Sequence, residues 1–365
     1  MSSIAVNMMV LNGASVLRRC LLPLKDVVSE VVVVDTGSTD GTLEVLTKIC
    51  LEIGTELRYV SLNTHSDDDF FTDEPASFRT TMPGPFTGRR IPRDWSAVRN
   101  RAVALTSADY VLKLDADDEP ISPPENWVKI VKVLESSPEI SCVSVPYEIC
   151  DGGKIVRLEA YARMFRREGL VWKGVCHEYA AGQSPKSTLY SLSGLRVRDW
   201  RDSIGEGARI AHRNLKVLLH AWEHDERKTI SASEDLQDDL IFRFTLAHEA
   251  VEVFPDIART FLDQVVSRLD PGDKGMWSDC YYHLGRVAEI LESYSEARDV
   301  YAAADEKSPN LQALLRLYAL EDKLGNVDGC RVLRGKIFER VSGGNTPLNC
   351  DLRLLARILG KGASR

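Results

Sequence analysis

The sequence predicts an N-terminal α/β domain with a mostly parallel sheet, followed by a smaller all-helical domain, and three observations carry that expectation. Strand-length apolar runs alternate with amphipathic helical patterns over the first 120 residues or so. Val31–Val34 is an unbroken β-branched run, too apolar for a half-exposed strand and suited to a parallel sheet covered on both faces. From Asp235 to Phe338 the pattern is nearly all helical, with Pro255, Pro271 and Pro309 as breaks.

The elements follow in order. Ile4–Leu11 reads as the first strand, and Asn12-Gly13 turns the chain into a helix from Ala14 towards Leu24. Val31–Val34 is the second strand, Thr42–Ile53 the second helix and Leu57–Leu62 the third strand; right-handed crossovers should join them. His65–Arg93 interrupts the rhythm with Asp67-Asp68-Asp69, four prolines and two glycines, and is expected to be a long loop or insertion. A helix returns at Trp95–Leu105, then a strand at Tyr110–Leu114; Cys142–Ile149 is a further strand, with Tyr161–Phe165 pairing nearby. Residues 1–224 are assigned to the α/β domain and 225–365 to the helical one.

At 365 residues the chain exceeds one hydrophobic core, which supports two domains. Apolar residues make up 44% and charged residues 27%, so general disorder is excluded. No apolar run reaches the roughly 20 residues that span a bilayer, and the opening residues lack the basic leader of a secretory signal. The eight cysteines are scattered without a CxxC, which fits reduced thiols rather than a disulfide scaffold or zinc site. A cytoplasmic protein is expected. The net charge of −8 gives no overall attraction to nucleic acid. Arg196, Arg198, Arg201, Arg209, Arg213 and Lys216 form a local basic stretch, either a solvated helix face or a path for a polyanion.

The strongest chemical feature is Leu114-Asp115-Ala116-Asp117-Asp118-Glu119, clustered carboxylates at the C-terminal end of an apolar strand, where open α/β sheets bind ligands. Four acids in five positions repel unless a cation neutralises them, and Mg²⁺ or Mn²⁺ shared with substrate phosphates would do so. In extended conformation Asp115 and Asp117 would share one face. The second feature is Val34-Asp35-Thr36-Gly37-Ser38-Thr39-Asp40-Gly41-Thr42, whose glycines permit a tight turn and whose polar side chains can cap the next helix. Asp35 can accept hydrogen bonds from a nucleotide base or ribose, or the segment can be a purely structural turn. Neither GxGxxG nor GxxxxGK[ST] is present, which counts against dinucleotide oxidoreductases and P-loop enzymes.

Together these stretches resemble the family-2 glycosyltransferases of the GT-A fold. Met9–Asn12 with Leu17, Arg19 and Cys20 is similar to the family's opening strand and helix, Val32–Thr42 to its VVDTGSTDGT segment, Trp95–Asn100 to the helix before its metal motif, and Leu114–Glu119 to that motif. Order and spacing match over about residues 4–120, with weaker similarity to about 180. One departure is Gly13, where the family usually has an acid.

The resemblance implies a nucleoside-diphosphate sugar donor, most often a UDP-sugar, held by Leu11, Asn12, Asp35, Arg99, Asp115 and Ala116, with Asp117 and His177 on a Mn²⁺ or Mg²⁺ ion. It implies direct displacement with inversion, onto an acceptor hydroxyl or thiol. Gly169–Glu178 resembles the family's later aromatic-to-HE segment, so Glu178 is the candidate base, with Asp118 and Glu119 as competitors. Because strand neighbours point opposite ways, His177 and Glu178 can serve one centre only from a loop. Trp172 is either a sugar-stacking platform or a core residue. His212, His220, His224 and His248 suggest no second metal site.

In the C-terminal half, Tyr281, Leu284, Gly285, Tyr294, Ala297, Tyr301, Ala304 and Pro309 resemble a tetratricopeptide repeat, a helical hairpin of about 34 residues. Gly285 and Ala297 allow close approach, Tyr301 and Ala304 fill the seam and Pro309 ends the second helix. A degenerate copy is expected from about Gln312 and an atypical one before Ser278. Such units must stack, to bind an acceptor or to join protomers. The acceptor stays open between polypeptide, glycan, small molecule and modified DNA. The competing readings are a sugar nucleotidyltransferase, which should show a glycine- and arginine-rich first loop, and a non-catalytic repeat scaffold.

Overall fold

The computed structural model describes residues 2–62, 66–82, 84, 86–151, 153–181, 196–201, 204–224, 236–342 and 350–360. It separates into two compact units, Met1–Ile155 with Glu159–Arg209, and Val156–Leu158 with Ile210–Arg365. The domain boundary expected at 224/225 adjoins residues 225–235, which lie outside the described residues.

The first unit opens with β1 (Ile4–Val10), the short α1 (Leu17–Leu21), β2 (Glu30–Asp35), α2 (Thr42–Ile53) and β3 (Glu56–Ser61). All six residues of β2 are buried, as its β-branched run requires. The first helix is shorter than its apolar pattern suggests. Pro23 removes a donor, and Leu22–Leu24 finishes as a 3₁₀ turn. By contrast α2 has the bounds expected, set by Gly41 at φ 85° before it and Gly54 at φ 71° after it.

The segment expected to be a long loop or insertion contains β4 (Phe71–Thr72), α3 (Ala76–Thr81) and β5 (Ile91–Pro92), with β4 and β5 paired antiparallel in a sheet of their own, so it is not a structureless loop. His65 itself lies outside the described residues. Then come α4 (Trp95–Leu105), β6 (Tyr110–Lys113), β7 (Asp118–Pro120), α5 (Pro124–Ser136), β8 (Cys142–Asp151), β9 (Lys154–Arg166), β10 (Val171–Lys173), β11 (Tyr179–Ala181) and β12 (Val197–Arg201). Asp94 caps α4, its Oδ1 accepting from the amides of Ser96 at 2.7 Å and Ala97 at 3.3 Å.

The sheet order is β3-β2-β1-β6-β9-β8-β12-β7. The β1–β2, β2–β3, β1–β6 and β8–β12 pairs are parallel, whereas β6–β9 and β7–β12 are antiparallel. The loops after β1, β2 and β6 therefore emerge at one edge, which brings residues 11–14, 36–41 and 114–117 together.

The second unit is a stack of helices resembling tetratricopeptide repeats: α6 (Ile204–His224, whose last fifteen residues belong here), α7 (Leu236–Ala250), α8 (Pro255–Arg268), α9 (Lys274–Ile290), α10 (Tyr294–Lys307), α11 (Leu311–Lys323) and α12 (Val327–Ser342), then β13 (Cys350–Asp351) and α13 (Leu352–Gly360). Tyr301, Ala297 and Ala304 are fully buried in the α9–α10 seam, and a Cβ on Gly285 would lie 2.6 Å from the Tyr301 ring. The contact between those helices thus depends on that glycine, as its spacing in the sequence suggests. All eight cysteines are free thiols. No helix among the described residues is long and apolar enough to cross a membrane.

Candidate functional site

At the sheet edge, the loops after β1 and β2 are laced together by their own polar groups. The Asn12 amide donates to Ser38 Oγ at 2.7 Å, and Asn12 Oδ1 accepts from the Thr39 amide at 2.9 Å. Asp40 accepts from the Ala14 amide at 3.0 Å, and Thr42 Oγ1 accepts from the Gly13 amide at 3.0 Å. Asp35 is 1% exposed and takes hydrogen bonds from the amides of Gly37 and Ser38 and from the Tyr59 hydroxyl. Its carboxylate builds this loop from inside; Val10 is the partner of Asp35 on β1, and Leu11, just past that strand, is half-buried. The departure at Gly13 has a steric reason. A Cβ there would sit 2.6 Å from Val10 Cγ2 and 3.5 Å from the Ala116 methyl, so an acid cannot enter without a shift.

The acidic run is a turn rather than an extended strand end, because the Asp118 amide donates to the Asp115 carbonyl at 3.1 Å. Asp115 and Asp117 therefore do not share a strand face, which corrects the expectation. The acids separate into distinct environments. Asp118, 3% exposed, accepts from the Asp115 amide at 2.9 Å and the Tyr147 hydroxyl at 2.8 Å. Burial pushes its carboxyl up, against Arg163 and with help from Asp115. Its carboxyl is enclosed by these partners. Glu119 accepts from the Trp200 indole. Asp115 lies 3.2 Å from Arg163 Nη2 and 3.6 Å from Arg99 Nη2. Burial alone would raise Asp115, but Arg163 and then Arg99 hold it well below the usual carboxylate range.

Asp117 differs from its neighbours. Its residue is exposed and it takes no ion pair among the described residues, yet surrounding protein, then Asp115 and Asp199, push its carboxyl up to about 6. Half-exposed Ala116 turns the chain towards it. A carboxylate at a sheet edge, unpaired and raised by other acids, is suited to a hard divalent ion. Among the described residues no group of three or more His, Cys, Asp and Glu converges as a metal cage. The residues fit an ion held by one carboxylate and completed by substrate phosphate and water, the usual style for Mg²⁺.

On the other side of Asp115, α4 and the β10–β11 hairpin meet. Asn100 Nδ2 donates to the Trp172 carbonyl at 2.9 Å, and Asn100 Oδ1 accepts from the Trp172 amide at 2.8 Å. The Trp95 amide donates to the Val175 carbonyl at 2.9 Å. These bonds fix the connecting loop, in which Gly174 has φ 96° and His177 φ 56°. His177 and Glu178 do lie in a loop, with His177 exposed and Glu178 turned inward. Glu178 stands 3.7 Å from Arg99 Nε and 3.4 Å from Lys113 Nζ. Burial would raise its carboxyl, but Arg99 and Lys113 outweigh that and hold it low, while burial and Arg99 bring Lys113 down to about 8. Arg99 is a buried cation, 3% exposed, rather than a surface residue. Trp172 is also only 3% exposed and packs edge-on to Phe165, so the sugar-platform reading gives way to a core role under Arg99 and Lys113.

The structure thus gathers Arg99, Asp115, Lys113 and Glu178 into one charged cluster, with Asp117 at the sheet edge. Arg163, Lys113, Tyr147 and Asp199 were not legible as site residues. Arg163, Tyr147 and Asp199 come from strands far along the chain where no local motif marks them, while Lys113 directly precedes the acidic run, within the strand that delivers it. Of the basic stretch, Arg196 is exposed, and the side chains of Arg201 and Arg209 lie outside the described residues. Arg196 and Arg198 pair with Glu148 at 3.0 and 2.9 Å, and Lys216 is 1% exposed.

No protein-family profile matches the chain. A TPR repeat-containing protein of Synechococcus elongatus is 32% identical over 166 residues, 46% of this chain and 32% of that protein. The chain therefore spans about a third of the length of this curated relative. Among solved structures, S. aureus TarS 1-349 is 15% identical with a TM-score of 0.35, covering 84% of this chain and 88% of that one. Glucosyl-3-phosphoglycerate synthase from Mycobacterium tuberculosis, in complex with Mn²⁺, UDP and glucosyl-3-phosphoglycerate, is 18% identical with a TM-score of 0.26, covering 46% and 58%. MamA is 18% identical with a TM-score of 0.30, covering 44% and 86%. Likenesses this distant leave the activity to be argued from the residues of the site.

Proposed function

We propose that the chain is a divalent-cation-dependent glycosyltransferase that moves a sugar, with inversion, from a nucleoside-diphosphate sugar such as a UDP-sugar to an acceptor hydroxyl or thiol. The observation that carries the reading is the division of labour in the acidic turn. Asp118 is buried against protein partners and the half-exposed Asp115 is paired with Arg163 and Arg99, while Asp117 is exposed and has no ion pair among the described residues, at the edge where three parallel strands end. Its sequence context, between the Val32–Thr42 and Gly169–Glu178 segments, supports the same reading.

In this scheme Asp117, with exposed His177 as a second candidate ligand, holds the cation. When bound, Mn²⁺ or Mg²⁺ supplies positive charge that offsets the charge growing on the departing diphosphate. The loops at Leu11–Asn12 and Asp35–Gly41 shape the nucleotide side of the edge, and Asp35 holds their conformation. Arg99, Lys113 and Asp115 form the charged floor. Glu178 is kept ionised by Arg99 and Lys113, so it is available to take the acceptor proton. A carboxylate held this low accepts that proton late, once bond formation has made the acceptor oxygen acidic. Inversion is consistent with one base opposite the leaving group.

The helical unit is proposed to bind a polypeptide acceptor or to join protomers. Of the basic stretch that would support a DNA acceptor, Arg196 and Arg198 are paired with Glu148. The test is release of UDP from UDP-Glc, UDP-Gal and UDP-GlcNAc, with Mn²⁺ and with EDTA. Cation-dependent UDP release is expected. Pyrophosphate release would point to a nucleotidyltransferase, and no nucleotide-sugar binding at all to a scaffold.

A further inference from the structure

The acidic turn raises a problem that a bound cation does not solve: what holds four neighbouring acids in place before any ion arrives. The answer lies on β9. Arg163 is 7% exposed, and its guanidinium is flanked by the rings of Tyr147 and Tyr161, with its carbon 4.6 and 5.4 Å from their centres. Those rings meet edge-on at 5.0 Å, so the guanidinium has little freedom. From this slot Nη2 reaches Asp115 Oδ2 at 3.2 Å and Asp118 Oδ2 at 3.8 Å. Tyr147 completes the arrangement, since its hydroxyl donates to the same Asp118 oxygen at 2.8 Å. Asp118 Oδ2 in turn accepts from the Asp115 amide at 2.9 Å.

We propose that Arg163 is the positioning residue of the acidic turn: it holds the half-exposed Asp115 and the buried Asp118 on one guanidinium, so that Asp117 is left without an ion pair at the sheet edge and its carboxylate is free for a cation. The inference rests on the cation-dependent reading of the site for its consequence, while the geometry of the turn can be tested without it. The chemistry favours arginine. Nη2 reaches both carboxylates while the guanidinium plane lies over two aromatic rings, and a lysine ammonium offers the charge without that plane. Without the guanidinium, the turn keeps its two internal hydrogen bonds, from the Asp118 amide to the Asp115 carbonyl and from the Asp115 amide to Asp118 Oδ2, and Asp115 keeps Arg99 at 3.6 Å. With one cation fewer, repulsion among the acids favours rotating Asp115 or Asp118 outward beside Asp117.

The experiment compares the full-length protein with Arg163→Met, Arg163→Lys and Tyr147→Phe. Metal-free crystal structures read the turn directly. In Arg163→Met, Asp115 or Asp118 is expected to leave its present position, with Arg163→Lys less displaced. A turn that stays unmoved in both variants overturns the proposal. Mn²⁺ binding is measured separately by electron paramagnetic resonance in the presence of UDP, and UDP binding without metal by calorimetry. Arg163→Met should lose roughly tenfold or more in Mn²⁺ affinity with metal-free UDP binding little changed, and Arg163→Lys should recover part of the loss, the scale of one charge-assisted contact. Equal loss of both affinities together with a lowered Tm would show a merely structural role and overturn it. Should Arg163→Met fail to fold, Arg163→Lys and Tyr147→Phe carry the same two readouts. If the unmodified protein binds no Mn²⁺, the glycosyltransferase reading fails, and the crystal structures still decide the positioning role.

Discussion

The Lys113 ammonium stands 3.4 Å from the Glu178 carboxylate and 4.8 Å from the centre of the Trp172 ring, in a site that Arg99 closes from α4. Two cations on one carboxylate make Glu178 structural and chemical at once. Glu178→Gln removes the negative charge and leaves Arg99 and Lys113 facing each other. Acceptor transfer is expected to fall by about 10²-fold or more, the usual scale for losing a general base, with donor affinity little changed. Stability should fall too, by on the order of 3 kcal/mol, because an uncompensated buried charge remains. Initial rates with a sugar acceptor, read beside urea unfolding, check both effects. Unchanged transfer in a destabilised protein would move the base elsewhere.

Asp117→Ala is expected to abolish cation-dependent turnover while leaving the fold intact. Its side chain is exposed and makes no ion pair among the described residues, so truncation removes no charge pair from the turn. Donor turnover over a Mn²⁺ titration, beside thermal melting, is the measurement. Near-normal rates at saturating Mn²⁺ and donor would defeat the assignment of this residue. EDTA treatment of the unmodified protein should reproduce the variant's loss and be reversed by added Mn²⁺.

The elements that the sequence predicts well are those fixed by local chemistry. Thr42–Ile53 is bounded by its own glycines, and Trp95–Leu105 has a capping aspartate at its start. The Asp35–Thr42 and Asp115–Glu119 segments are also local, so their place at one sheet edge follows from the strand pattern. The missing parts depend on partners distant in sequence. Arg163 is 48 residues from Asp115, and Lys113 is 65 from Glu178. The strand assigned to Tyr161–Phe165 shows no sign that Arg163 points at the acidic turn. Expecting an extended Asp115–Asp117 pair failed because backbone closure from Asp118 to Asp115 outweighed strand geometry.

His283 gives the helical unit a dependence on pH. Its ring lies in a cluster with Phe244, Tyr282 and His248, with His248 Nδ1 3.1 Å from its Nε2. Burial, then His248 and Arg286, push its pKa well below the ordinary 6.5. The unfolded chain takes up a proton near 6.5 while the folded chain does not, so the stability present above that pH is lost as pH falls through it. Each further unit of acidification costs about 1.4 kcal/mol until His283 protonates in the fold. Melting curves from pH 7.5 to 5 should show the unmodified protein losing Tm more steeply than His283→Leu. Parallel slopes would assign the acid sensitivity to other groups.

Gly285→Ala tests the repeat-like packing with a single methyl. A Cβ at this position would lie 2.6 Å from two carbons of the Tyr301 ring, and Tyr301 is itself fully buried, with its hydroxyl donating to Glu289 at 2.8 Å. The ring cannot retreat without giving up that hydrogen bond or parting α9 from α10. Overpacking of this kind costs about 1–3 kcal/mol, and it should outweigh the gain in helix propensity of about 1 kcal/mol that alanine brings. Urea unfolding should therefore show a lower midpoint, and Tyr301→Leu combined with Gly285→Ala should lose less than the two single changes summed, because the shorter side chain relieves the clash. If Gly285→Ala instead raises stability, the close approach of the two helices is not set by this glycine.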